Sequence, residues 1–252
     1  MNKAERTSAK TAREKIKAQQ EAARARDKRK RVATYVTAGA VAVAAVGLGW
    51  WWSASNSRSE EAAAALAPIT VQADGSVVMA KQGVTAPVVD VYEDFQCPAC
   101  KELERVSGQT FKNLAAEGKA KVVYHPITIF SQEPTKSNSV RAGSAARCIA
   151  DGKQWMAFHD LLYQNQPSET EAGFTPDQLK NWGKEAGVTA QGFDQCVTSE
   201  KNADAQLSFS KTIIDAQKIT HTPTVKLNGS EIDNSALFSP QELRQAITKA
   251  AK

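Results

Sequence analysis

One stretch limits what this chain can fold into more than any other: Val88-Val89-Asp90-Val91-Tyr92-Glu93-Asp94-Phe95-Gln96-Cys97-Pro98-Ala99-Cys100-Lys101-Glu102-Leu103. A β-branched apolar run stops at Cys-Pro-Ala-Cys and gives way to residues of high helix propensity. The pattern therefore puts both thiols where a strand hands over to a helix. With Cys97 as the helix cap, Pro98 falls at the first helical position, where its missing N–H costs nothing. Unpaired backbone N–H groups and the positive end of the helix dipole then favour thiolate over thiol at Cys97. Cys100 comes about one helical turn later, close enough to close a small disulfide ring. Cys97 is expected to attack, as the exposed thiol, and Cys100 to resolve.

Two other uses of such a pair compete with this one. A zinc half-site also takes two cysteines two residues apart, but the nearest further ligands, His125 and Cys148, show no paired spacing; no metal is expected. A purely structural bridge across four residues stabilises little, because the chain-entropy gain grows with loop length.

The strand and Phe95-Gln96-Cys97-Pro98-Ala99-Cys100, a long intervening segment, and Thr220-His221-Thr222-Pro223-Thr224-Val225 together resemble the thioredoxin superfamily. The closer resemblance is to the DsbA-like thiol:disulfide oxidoreductases of the bacterial envelope, including actinobacterial and Gram-positive forms, and it covers Ile69 to Lys252. It implies an α/β thioredoxin fold with a large helical insertion. It also implies a cis bond at Thr222-Pro223 beside the sulfurs, with the Thr222 backbone free to pair with a substrate strand. An ordinary trans proline opening a strand is the commoner state of an X-Pro bond. Two features depart from the family. The buried acid that many relatives carry six residues before the first cysteine is Val91 here, which leaves Glu93 or Asp94 as candidate proton relay; strand alternation alone does not say which points inward. Ala99 stands where strong oxidants of the family have a histidine, so thiolate stabilisation must rest more on the helix terminus.

Charge divides the chain. Residues 1–31 carry twelve Lys or Arg against four Asp or Glu, a net of +8, whereas the whole chain is +5; the remainder sums to −3. The basic character belongs to this tail and not to a nucleic-acid-binding face. Val32 to Trp52 is uncharged over 21 residues, enough helix to cross a hydrocarbon core of ~30 Å. Lys28-Arg29-Lys30-Arg31 precedes it and Trp50-Trp51-Trp52 closes it, so the positive-inside rule gives a single-pass membrane anchor with a cytoplasmic N-terminus. A cleaved signal peptide is the alternative, since Ala62 to Ala65 offers small residues. Ser53 to Pro68 reads as a linker.

The domain itself, 69–252, opens with two short strands around Asp74-Gly75, then the central strand. A helix is expected over Pro98 to Glu117, stopped by Gly118, and a strand over Lys121 to Ile129. His125-Pro126 in that strand hints at an edge or a strand end. His125 is either packed or close enough to influence the sulfurs. From Thr135 to Phe209 the pattern is helical, in segments 137–150, 154–163, 176–186 and 192–196. Asn228-Gly229 marks a hairpin and Ser239-Pro240 opens a final helix. No internal repeat and no phosphate-binding glycine loop is present. In an extracytoplasmic protein Cys148 and Cys196 invite a structural disulfide, worth on the order of 4 kcal/mol for its loop length; two buried free thiols are the alternative.

These readings converge on an extracytoplasmic oxidase that passes a Cys97–Cys100 disulfide to exported proteins bearing free thiols. Such a protein needs no organic cofactor. It needs a membrane partner to re-oxidise it, which the resemblance implies to be DsbB- or VKOR-like. An isomerase or reductase uses the same residues at another potential, and a non-catalytic binding module is a further class.

Overall fold

A computed structural model of the protein describes residues 66–251. The basic tail, the apolar segment Val32 to Trp52 and nearly all of the linker lie outside these residues. Among the described residues no helix is long and apolar enough to cross a membrane.

Six strands form one sheet: β1 (Ile69–Val71), β2 (Val77–Met79), β3 (Val88–Glu93), β4 (Lys121–Pro126), β5 (Thr224–Leu227) and β6 (Ser230–Glu231). Their spatial order is β1-β2-β4-β3-β5-β6. Only β3 and β4 run parallel, with Val91 opposite Tyr124 and Tyr92 opposite His125. A parallel pair needs a crossover, and the helical stretch that begins at the cysteines supplies it.

Alternation along β3 splits the interior into two layers. Val89, Val91 and Glu93 face one side, where Phe95, Phe111, Tyr124 and Trp155 build the larger core. Tyr92 belongs to a smaller cluster with Ile127, Phe209 and Ile219. The β5–β6 turn takes positive φ at both Asn228 (50°) and Gly229 (84°), the backbone that an Asn-Gly pair tolerates.

The expected helix 98–117 is not uniform. It divides into α1 (Pro98–Leu103), a π-helical turn (Glu104–Gly108) and α2 (Gln109–Ala116). A π-turn adds one residue to the ladder and rotates the turns after it, a change that leaves no mark on apolar periodicity. The strand expected to reach Ile129 ends at Pro126, because proline has no N–H to continue the ladder. That strand is no edge: β2 and β3 flank it, and Pro126 is merely its last residue.

Between β4 and β5 lies the helical insertion: α3 (Thr135–Ala146), α4 (Gly152–Gln164), α5 (Pro176–Glu185), α6 (Phe193–Thr198) and α7 (Ala203–Gln217). The last helix runs eight residues beyond the expected boundary at Phe209, since Ile213 and Ile214 carry its apolar stripe onto the smaller cluster. Side chains cap two of these helices at their N-termini. Thr175 and Gln178 form a reciprocal capping box on α5, and Asp151 accepts from the Gln154 N–H on α4. A short α8 (Asn234–Leu237) precedes α9 (Pro240–Ala250), whose Leu243 and Ile247 are buried.

Candidate functional site

Cys97 caps α1 with an extended backbone (φ −78°, ψ 119°), and Pro98 takes the first turn. Both thiols are free. Cys100 is fully enclosed, and Cys97 itself is only 7% exposed, less than its position at a helix start implies. The cover comes from the loop before β5. Thr222–Pro223 is a cis peptide bond, and the Cys97 thiol lies 3.3 Å from the Thr222 carbonyl oxygen. In its protonated form the Cys97 thiol donates to that carbonyl.

The two thiols differ sharply in acidity. A hydrogen bond from the Cys100 thiol lowers Cys97 to about 6; burial opposes it, and Thr222 with the N–H groups of Cys100 and Ala99 assists. Burial pushes Cys100 well above the ordinary thiol range, and the neighbouring Cys97 sulfur adds to the shift. At neutral pH the pair is thus a Cys97 thiolate accepting a hydrogen bond from the Cys100 thiol.

The insertion fastens this loop from outside. Gln166, just past α4, donates through Nε2 to the carbonyls of Phe95 (2.8 Å) and Cys97 (2.9 Å). Gln96 returns a bond to the Pro167 carbonyl at 3.2 Å. Sequence reasoning missed Gln166, because nothing in the local pattern distinguishes it from any loop glutamine.

The two candidate relay acids go to different places. Asp94, fully buried below the cysteine loop, accepts from the N–H of Gln96 (2.8 Å) and of Ile129 (2.9 Å). Burial lifts its carboxyl to about 7 against those donors, and the charge on Cys97 contributes. Glu93, on the core face of β3, instead meets His159 of α4, Oε1 to Nε2 2.8 Å. His159 is fully buried, and its Nδ1 lies 3.1 Å from Asp160, which also pairs with Lys112 at 2.6 Å. Burial alone would depress the imidazole, but the adjoining Glu93 carboxylate and Asp160 raise it. His159 went unnoticed in the sequence because a lone histidine on an apolar helix face gives no signal of its partner.

Of the two alternatives for His125, the packed one holds. Its ring stacks on Tyr92 (centroids 4.6 Å apart) and bonds Asp90 at 2.9 Å, on the face of the sheet opposite Glu93. Cys148 and Cys196 are joined (S–S 2.06 Å), linking the end of α3 to α6 across 48 residues.

The family model described as Thioredoxin matches residues 83–249. A Rickettsia bellii protein carrying the name protein-disulfide oxidoreductase is 28% identical over 109 residues, 43% of this chain and 41% of that protein. The aligned stretch thus spans about two-fifths of that relative's length. Among solved structures, the reduced form of the disulfide bond oxidoreductase DsbG from Mycobacterium tuberculosis is 30% identical, with a TM-score of 0.58, covering 68% of this chain and 82% of that one. Oxidised DsbA of the same organism is 29% identical, TM-score 0.58, covering 73% and 92%.

Proposed function

The chain belongs to the thioredoxin family, and from that premise we propose that it is a DsbA-type protein thiol:disulfide oxidoreductase acting outside the cytoplasm, chiefly as an oxidase. The observation that carries this reading is the pairing of Cys97, held at about 6, with an enclosed Cys100 beside cis Pro223.

A substrate thiolate attacks the Cys97 sulfur of the Cys97–Cys100 disulfide, and Cys100 departs and takes up a proton. A second substrate thiolate then attacks the substrate sulfur of the mixed disulfide. Cys97 leaves as thiolate, the substrate gains a disulfide, and the protein retains two reduced cysteines. A leaving group near pKa 6 departs faster than an ordinary thiol near ~8.5, which favours the oxidising direction. Asp94 is the acid placed to hold the proton, since its carboxyl titrates near neutrality and senses the Cys97 charge. The Thr222 carbonyl, to which neither a thiolate nor a disulfide sulfur can donate, is an acceptor for an extended substrate backbone.

The sequence supplies the setting: a basic tail (1–31) inside, an anchor (32–52), a linker (53–68) and the catalytic domain (69–252) outside, where exported thiol proteins and a DsbB- or VKOR-like re-oxidising partner are met. The test is oxidation of a reduced two-cysteine peptide by the pre-oxidised protein. Turnover with wild type and none with Cys97→Ser supports the reading; equal rates would end it. A reduction potential near −120 mV identifies an oxidant and one near about −270 mV a reductant.

A further inference from the structure

Behind the active-site helix three side chains from three elements converge: Glu93 of β3, Glu104 at the start of the π-turn and His159 of α4. One ligating atom from each lies within 4.8 Å of the others. We propose that these residues bind one divalent transition-metal cation of the zinc or manganese class.

Unmet hydrogen-bonding capacity is the first argument. Glu93 Oε2 and both oxygens of Glu104 are buried and have no partner among the described residues. Nor have the hydroxyls of Tyr124 and Tyr163, whose rings pack 5.3 and 5.0 Å from the imidazole. Buried carboxylates without partners are strongly disfavoured, and Lys112, the nearby cation, is already engaged by Asp160. Ligation requires the imidazole of His159 to give up its proton; two carboxylate charges, Glu93 and Glu104, then remain and a dication cancels them.

The backbone is shaped to hold Glu104 inward. A Cβ on Gly108 would lie 2.4 Å from Glu104 Oε2, so glycine at that position leaves the carboxylate its space. The π-turn that begins at Glu104 sets its direction, and such turns concentrate at functional sites.

The coordination chemistry fits as well. Metal–nitrogen and metal–carboxylate bonds of about 2.0–2.2 Å put two ligands of one ion at most about 4.4 Å apart. The 4.8 Å limit of the cluster is about 0.4 Å wider, so a bound ion would draw the three side chains together. Asp160 on His159 Nδ1 reproduces the carboxylate–histidine–metal arrangement that fixes the tautomer of a ligating imidazole. One imidazole with two carboxylates suits zinc or manganese better than calcium, which takes six to eight oxygens. A cleft of about 510 Å³, lined by Glu104, Lys112, Asp160 and Tyr163, gives an ion access from the surface.

Titration calorimetry with zinc chloride, and separately manganese chloride, tests this on the full chain in detergent. The protein is oxidised first, so that Cys97 and Cys100 take up no metal. One equivalent should bind, the thermal midpoint should rise, and Glu104→Gln and His159→Gln should each weaken affinity at least ~100-fold. Asp160→Asn keeps all three ligands and should weaken it by about 10- to 100-fold; it decides the matter if either ligand variant fails to fold. Absence of binding by the oxidised wild type, or affinity unchanged by Asp160→Asn and the ligand variants, would overturn the site and leave the carboxylates to be neutralised by protons. Neither result bears on the redox reading, which rests on Cys97.

Discussion

The amide nitrogen of Gln166 lies 2.9 Å from the carbonyl oxygen of Cys97. The helical insertion thereby holds the first turn of the active-site helix, and the same Nε2 also binds Phe95. Replacing Gln166 by Ala leaves two carbonyls without that donor. We expect a loss of about 1–3 kcal/mol, read from urea midpoints, together with altered Cys97 reactivity. Unchanged stability and reactivity would mean that the loop holds its shape by itself.

The acidity of Cys97 can be titrated directly. Alkylation of the reduced protein should show a midpoint near 6 and mark Cys97 ahead of Cys100. The folded pKa lies below the unfolded value, so its contribution to stability is fully present above pH ~9 and is lost as pH falls through about 6. The oxidised protein lacks this group. Its stability relative to the reduced form should therefore decline as pH rises from 6 to 9, and a flat difference across that window would show that Cys97 is not a stabilised thiolate.

The Cys148–Cys196 bridge closes a 48-residue separation. Chain entropy gives it a worth of about 4 kcal/mol. The double variant Cys148→Ala, Cys196→Ala should unfold at markedly lower denaturant while retaining part of its activity. In the wild type, mild reductant should open the active-site pair first. Mass spectrometry finding Cys148 and Cys196 reduced at the same potential as Cys97 would contradict the assignment.

Topology decides whether an oxidase can stay charged. With Val32 to Trp52 spanning the membrane and the tail inside, protease added to wall-stripped cells should cut between Ser53 and Pro68. An active domain beginning near Ile69 should be released and the tail protected. A domain protected until lysis would refute both the orientation and the oxidase role.

How far the sequence reaches depends on how local the cause is. Cys97 at a helix cap, Pro98 behind it and the Asn228-Gly229 turn are set by neighbours in the chain, and each is visible in the residue string. The six-stranded sheet with its helical insertion comes from strand and helix periods once the thioredoxin resemblance supplies the order. What the string hides is convergence. Glu93, Glu104 and His159 are 11 and 55 residues apart along the chain, with no regular spacing, and they meet only because β3, the π-turn and α4 pack together. A search for paired cysteines and histidines cannot find such a set. The near-burial of Cys97 is hidden for the same reason, since its cover is Thr222, 125 residues away. Two further cis bonds, at Ala86-Pro87 and Glu133-Pro134, have no counterpart in the local pattern.

The margins of the sheet bear on the company such a protein keeps. Its outermost strands are Ile69–Val71, three residues, and Ser230–Glu231, two exposed residues with a charge. Unfolded polypeptides seek unpaired strand edges, and long ones nucleate aggregates. Edges this short offer almost nothing to grip. On the proposed reading, an extended client chain finds its berth among the described residues at the Thr222 carbonyl beside the sulfur, so transient association is steered to the place where it can end in covalent exchange instead of sticking.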